Sequence, residues 1–512
     1  MNAFEGFLYG LEIAVSPELL VAAFVGAFAG TLIGVLPGIG PVAGAAVVLP
    51  ITFMYDPLVG MVLISAIYLG SQFGGSITSV LVNIPGDAQS IVATFDGYPL
   101  AQKGRAGAAV GIMVGGSFIA GVLGILVVLL TIPIITPIAL SFGPAEFFAL
   151  TAGGLIALSR ISGGSIASGL FPMAIGVALA TVGTDAIHSY NRYTFGMVEL
   201  ATGISLAMLA VGLYGISEIL YMVENKEGGT KGLSRIRVRD LTPNRAEIRE
   251  ASMPWLRGSL IGYGFGVLPG PSATLATFGS YRVEQAVARD KSGFGTGRVA
   301  GLAGPEAANS GATVGSMVPA LLLGLPFSAT LAMMLAAMQV HGVAPGPLLI
   351  DSNPELFWSV IAALFVCNIM LVLINVPLVG LWIRVVRTPV YLLAPSILLL
   401  GAIGVYSVNT NLIDLRLMVF IGVVGYILRK ANFSLASMLI GLVLGSLVEQ
   451  YFLEGMAMGS GDPGYFLSTP TAIVLWSLVL LAVVAPVLSR AAARIRAGRT
   501  HHTDTAATGG RS

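Results

Sequence analysis

Charge is what this chain has least of. Only 10% of its 512 residues are Asp, Glu, Lys or Arg, while 55% are hydrophobic and the mean hydropathy is +0.89. A water-soluble domain carries roughly 25% charged residues. This chain therefore cannot clothe a water-facing surface of its size, and lipid must cover much of it. A net charge of +1 removes any electrostatic case for nucleic acid. A single cysteine, Cys367, excludes an intrachain disulfide, and four histidines beside it make no metal-ligand cluster. No Gly-x-x-x-x-Gly-Lys-Ser/Thr loop occurs, so ATP hydrolysis is not expected. Neither His188 nor His341 has a partner suggesting nucleophilic catalysis, and no enzyme is expected. No Lys or Arg precedes the first apolar run, where Glu5, Glu12 and Glu18 lie instead. That run is expected to be retained, because a cleaved signal peptide needs a basic start.

What the chain has is apolar length and small residues. Residues 117–140 and 471–488 hold no charge over the roughly 20 residues a spanning helix needs. Sixty-six glycines suit close helix packing in a membrane. Lys and Arg, which mark cytoplasmic loops, cluster at Lys103/Arg105, between Lys226 and Arg257, from Arg282 to Arg298, at Arg384/Arg387, at Arg429/Lys430 and from Arg490 onward. Acidic or neutral loops alternate with them, at 185–191, 351–355, 409–414 and 449–462. Threading the apolar runs between these markers predicts an all-α polytopic membrane protein with two inverted-topology repeats. Each repeat is a broken-helix hairpin plus about five spans, and one extra helix ends the chain. The expected divisions are 1–222 for the first repeat, 223–254 for a cytoplasmic linker and 255–450 for the second repeat. An outside loop and the extra helix follow over 451–489, then a basic disordered cytoplasmic tail over 490–512. The N-terminus is expected outside and the C-terminus in the cytoplasm.

Punctuation inside the apolar runs recurs. Residues 34–41 read GVLPGIGP and residues 266–273 read GVLPGPSA. A second pair follows in order, LVNIPGDA at 81–88 and LLGLPFSA at 322–329. Pro37 and Pro269 are 232 residues apart, and Pro85 and Pro326 are 241 apart; the difference of nine matches an extra basic loop between Arg289 and Arg298. Proline lacks a backbone N–H and glycine admits unusual angles, so each pair ends one half-helix and starts another inside the bilayer. Such breaks are tolerated only where they are buried in protein or line a cavity. Paired breaks in corresponding halves point to a transporter's binding site. A half-helix N-terminus binds carboxylate through free N–H groups, without a basic side chain. The alternative reading is proline kinks and tight glycine crossings.

The candidate substrate-binding residues are therefore Gly38, Gly40, Pro41, Asn83, Pro85, Gly86, Gly270, Ser272, Thr274, Asn309, Ser310, Ser328 and Thr330. Glu306, Thr313, Ser76 and Asp87 are candidates for a coupling ion, Na⁺ or H⁺, since an intramembrane carboxylate is functional by default. Competing structural readings are a helix-dipole partner for Glu306 and a cap for Asp87. Gln72 and Thr78 accompany Ser76 in SQFGGSITS and either contact substrate or bond neighbouring helices.

These stretches resemble the large membrane subunit of the tripartite tricarboxylate transporters (TctA-type). The likeness is carried by GTLIGVLPGIGP (30–41), the run from Tyr68 to Ala109, GVLPGPSATLATFGSYRVEQ (266–285) and the run from Gly304 to Leu349. It implies an ion-gradient-driven secondary transporter of organic carboxylates in the bacterial cytoplasmic (inner) membrane. The implied partners are a small four-helix membrane subunit and a periplasmic solute-binding protein. One departure is Pro326-Phe327-Ser328, where the family pattern favours glycine after the proline; Phe327 adds a bulky ring near the expected site. A non-transporting membrane scaffold is the alternative function. A channel is disfavoured, because rings of charge are absent from the sequence.

Overall fold

The structure, a computed structural model, describes residues 2–36, 40–83, 86–161, 166–184, 190–225, 238–268, 272–385, 394–395, 398–399, 401–403, 405–406 and 410–481. The chain folds as α1 (Ala3–Ala14), α2 (Pro17–Val35), α3 (Gly40–Thr52), α4 (Pro57–Val82), α5 (Ile91–Leu100), α6 (Ala106–Leu140), α7 (Pro144–Ile161) and α8 (Ile166–Ala180). Then come α9 (Leu206–Ala210), continued by a π-turn (Val211–Ile216), and α10 (Ser217–Asn225). The remainder is α11 (Arg245–Gly266), α12 (Ser272–Val287), α13 (Val299–Leu323), α14 (Ala329–Val340), α15 (Leu349–Ser352), α16 (Pro354–Val385), α17 (Leu412–Lys430), α18 (Leu435–Met458) and α19 (Pro470–Leu481). The only strands among the described residues are Gly183–Thr184 and Asn191–Arg192, paired antiparallel.

Five helical stretches are long and apolar enough to cross a membrane: Pro17–Val35, Pro57–Val82, Ile91–Leu140 (bent at Gly104, φ +80°), Pro354–Val385 and Leu435–Met458. Several others, such as Pro41–Thr52 and Ala329–Val340, are apolar but shorter than the roughly 20 residues of a full span. The predicted all-α polytopic class holds. Helix α11 starts at Arg245, inside the stretch read as a linker, because Asn244 and Glu247 cap it reciprocally. The predicted tail, 490–512, lies outside the described residues.

Helices α4 and α13 are buried along nearly their whole length and form the centre. Both end in the same way. Asn83 (φ +60°) and Gly324 (φ +67°) adopt the left-handed C-terminal conformation that suits Gly and Asn. Each is two residues before a proline, Pro85 or Pro326, that cannot continue a helix. Against α4 packs α2, and against α13 packs α11. A Cβ added to Gly26, Gly30 or Gly34 would come within 2.7, 2.5 and 1.9 Å of the carbonyl oxygens of Leu63, Ile67 and Ser71. One on Gly258, Gly262 or Gly266 would come within 2.2, 2.3 and 2.5 Å of those of Gly304, Ala308 and Ala312. The two glycine rows are 232 residues apart and their partners are 241 apart. The reciprocal contacts recur as well, Gly70 on Ala27 with Gly311 on Ser259, and Gly74 on Thr31 with Gly315 on Tyr263. Backbones this close are the usual device by which small residues hold membrane helices together.

The pairs interlock. Helix α5 lies against α13, while α14 lies against α3 and α4. Helix α16 covers α1, α2, α4 and α6, and the Trp255 indole of α11 donates to the Ile112 carbonyl of α6 at 3.1 Å.

Candidate functional site

Polar side chains on the two most buried helices cost free energy unless they are bonded, and they mark function when they are not. Most on α4 bond their own helix: Ser71 donates to the Tyr68 carbonyl at 3.0 Å, and Thr78 and Ser79 donate to that of Gly75 at 2.8 and 2.9 Å. Three atoms have no such partner. Gln72 Nε2, Ser76 Oγ and Asn309 Oδ1 are buried without a hydrogen bond of normal geometry, although Ser76 approaches the Glu306 carboxyl. All three residues face one cavity of about 20 Å³ between α4, α6, α13 and α16. Glu306, Ser310 and Asn368 line it too, with Ser117 of α6 opposite.

Beside the cavity, the Thr313 hydroxyl sits 2.5 Å from Gln72 Oε1 and 3.0 Å from the Asn309 carbonyl. Gln72 and Thr313 are themselves 241 residues apart. Thr313→Val would leave Gln72 Oε1 buried without its donor, at a cost of about 1–3 kcal/mol. We expect a lower thermal unfolding temperature in detergent, largely restored by Thr313→Ser. Equal stability of wild type and the valine variant would show that this bond contributes nothing.

The residues predicted from the sequence fall into two groups. Ser76, Glu306, Asn309 and Ser310 meet at the cavity, and Thr313 joins them through Gln72. The others lie at helix ends. Gly40 and Pro41 open α3, and Ser272 and Thr274 open α12. Ser328 caps α14 by accepting from Leu331 N at 3.2 Å, and Thr330 follows it, buried. Asp87 accepts from Ser90 N at 2.9 Å and closes a turn ahead of α5, whose N-cap is Ser90, so it is not the helix cap weighed above. Gly86 is packed on the first hairpin, where a Cβ would fall 2.6 Å from Gly75 Cα and 3.2 Å from Gly34 O. Asn83 is exposed as the C-cap of α4. Gly38, Pro85 and Gly270 lie outside the described residues. The hydroxyl of Tyr68 lies near Ser316, Ser328 and Gln72 and within electrostatic reach of Asp87, which links the cavity to the helix ends.

Asn368 and Ser117 were not predicted. Asn368 donates to the Phe118 carbonyl at 2.9 Å across from Gly121, where a Cβ would lie 2.4 Å from its amide nitrogen. The only signal for it was one amide in an apolar run, which is weak. Asp96 of α5 was also missed. It is fully buried, and its Oδ1 accepts from the backbone N–H groups of Gly295, Gly297 and Arg298 at 2.9, 2.8 and 2.8 Å. Its Oδ2 accepts from the Tyr281 hydroxyl at 3.0 Å. Thus the loop between α12 and α13 is clasped onto α5 by a single carboxylate. This loop spans residues 288–298, whereas only four residues separate α3 from α4.

A family model described as "Tripartite tricarboxylate transporter TctA family" matches residues 20–440. Two proteins of Agrobacterium vitis are each 38% identical to this chain. One, an uncharacterised 52.8 kDa protein in the TAR-I ttuC' 3' region, aligns over 95% of this chain and 97% of its own length. The other, an uncharacterised protein in the TAR-II ttuC' 3' region, aligns over 45% of this chain and 94% of its own length. No solved structure matches.

Proposed function

We propose a function from one premise: the chain belongs to the tripartite tricarboxylate transporter TctA family. On that premise it is the large membrane subunit of a secondary transporter that imports organic carboxylates of the di- and tricarboxylate class. A Na⁺ or H⁺ gradient drives it. A small four-helix membrane subunit and a periplasmic solute-binding protein are its partners in the bacterial inner membrane, with the N-terminus outside and the C-terminus in the cytoplasm.

The observation that carries the reading is the recurrence of the glycine contacts at constant offsets, 232 along α2/α11 and 241 along α4/α13. It supports two repeats of one design. Under that correspondence Gln72 and Thr313 are equivalents that touch. Equivalent residues whose side chains touch would lie close to an axis relating the two repeats. Alternating access then follows from one repeat moving against the other around a fixed centre.

A cavity of about 20 Å³ is too small for a tricarboxylate. The anion is therefore assigned to the helix ends at Gly40, Pro41, Gly86, Ser272, Thr274, Ser328 and Thr330, together with Asn83, Gly38, Pro85 and Gly270. Backbone N–H groups and hydroxyls hold it there, where half-helix dipoles favour negative charge.

The test is uptake in proteoliposomes holding the chain with its two partners. Radiolabelled di- and tricarboxylates are expected to accumulate above the outside concentration only when a Na⁺ or proton gradient is imposed, and without ATP. Equilibration that ignores both gradients would point to a channel. An absence of flux, with the partners bound, would favour the scaffold.

A further inference from the structure

We propose that the cavity between α4, α6, α13 and α16 is the site of the coupling monovalent cation, Na⁺ or H⁺, with Glu306 as the group that takes it up. The proposal rests on the transporter reading above and adds where, and how many times per chain, the cation binds.

Size comes first. A water molecule needs roughly 10–15 Å³ of such space. The cavity, at about 20 Å³, admits one water or one stripped monovalent cation and no carbon skeleton of a di- or tricarboxylate.

Charge comes second. Glu306 is 3% exposed, and no Lys or Arg pairs with it among the described residues. A buried carboxylate without a counter-ion is very costly, so a proton or a cation must accompany it. The other charged groups around it are accounted for. Glu284 of α12, which reaches α13 at Gly304, is bound by Arg257 at 2.5 Å, and Asp96 of α5 is filled by N–H donors. Asp87 lies within electrostatic reach, with its carboxylate engaged by the Ser90 N–H and the Gln89 amide. Tyr68 of α4 is the nearby phenol, and the residues that α6 and α16 bring to the cavity wall are uncharged, Ser117 and Asn368 being the polar ones.

Ligands come third. Ser76 Oγ, which approaches the Glu306 carboxyl, and Asn309 Oδ1, which has no hydrogen-bond partner, are buried oxygens facing the same space, and Gln72 Nε2 lies beside them without a hydrogen bond of normal geometry. Carboxylate, carbonyl and hydroxyl oxygens are the ligands hard cations prefer. No group of three His, Cys, Asp or Glu occurs among the described residues, so the donor set suits a singly charged ion.

The count follows from the offset. The position 241 residues before Glu306 is Ser65, whose hydroxyl is turned to Met334 Sδ at 3.7 Å, and the position before Asn309 is Tyr68. At these corresponding positions the first half has neither the carboxylate nor the amide, so the proposal assigns one such site per chain. Its walls come from both halves, so movement of one half against the other must remake the coordination.

The experiment is carboxylate accumulation in proteoliposomes of the full complex, with external Na⁺ varied at fixed pH and, separately, pH varied at fixed Na⁺. Ser76→Ala and Asn309→Ala are expected to raise the half-saturating concentration of the driving cation tenfold or more. The half-saturating anion concentration, taken at saturating cation, should move less than threefold. Glu306→Gln should lose gradient-driven accumulation at least tenfold, and Glu306→Asp should recover part of it with a displaced cation dependence. Whichever series responds, sodium or pH, names the ion. Normal accumulation by Glu306→Gln would overturn the proposal, as would alanine variants that shift the anion constant instead of the cation constant. Failure of the wild-type complex to move any carboxylate would count against the transporter reading instead.

Discussion

Asp96→Ala is expected to be the most damaging single substitution outside the transport path. Its carboxylate ends three backbone N–H groups and one phenol hydroxyl, all drawn from the segment between Tyr281 and Arg298. Hydrogen bonds to a charged group contribute about 1.5–3 kcal/mol each, and donors left buried add a desolvation penalty. The bonds act as a unit and do not add simply, but a loss above about 4 kcal/mol is expected, in the range that marks a broken buried network. The purified complex should show a much lower unfolding temperature, with new proteolytic cleavage within residues 288–298. Asp96→Asn keeps an acceptor for the N–H groups and should fall between the two. An alanine variant as heat-stable and protease-resistant as wild type would rule out the clasp.

The second large effect is expected at the helix crossings. Gly262→Leu places a Cβ 2.3 Å from the Ala308 carbonyl oxygen, and Gly30→Leu places one 2.5 Å from that of Ile67. Ordinary contacts begin near 3.4 Å, so the backbones must separate by about an ångström and lose their packing along a whole face. Overpacking usually costs about 1–3 kcal/mol where neighbouring side chains can give, and more against rigid backbone. Neither variant should yield folded, monodisperse protein. Gly264→Ala is the internal control, because nothing lies within 4 Å of its added Cβ. It should behave as wild type. If Gly262→Leu and Gly264→Ala purify alike, the close crossing of α11 on α13 is wrong.

Much of this architecture can be read in the residues before any coordinates. The duplicated Gly-Val-Leu-Pro-Gly and the paired prolines mark breaks because proline and glycine act locally, through their own backbone chemistry. The polar residues of GPEAANSGAT stand out because an apolar surrounding makes each of them expensive. Asp96 does not stand out in this way. Its partners are main-chain N–H groups about 200 residues away, and any sequence supplies those, so no side-chain pattern announces them. Asn368 is hidden for a similar reason, since its worth depends on Gly121 leaving room across the cavity. Helix starts are an intermediate case. Asn244 and Glu247 form a legible capping box, yet the charged turn after them resembles a loop when hydropathy alone is weighed. Short α1, which packs on α16 through Gly6 and Gly10, is equally quiet in an apolar profile.

The Thr313–Gln72 bond has a consequence for how such a molecule can be built. Were two identical polypeptides to meet across a two-fold axis, a residue on the axis itself would face its own kind, glutamine on glutamine or threonine on threonine. A single chain is under no such constraint, so a threonine hydroxyl can donate to an unlike amide oxygen there. On the repeat reading proposed above, one chain can thus hold an acid, Glu306, at one of two corresponding positions and a serine, Ser65, at the other.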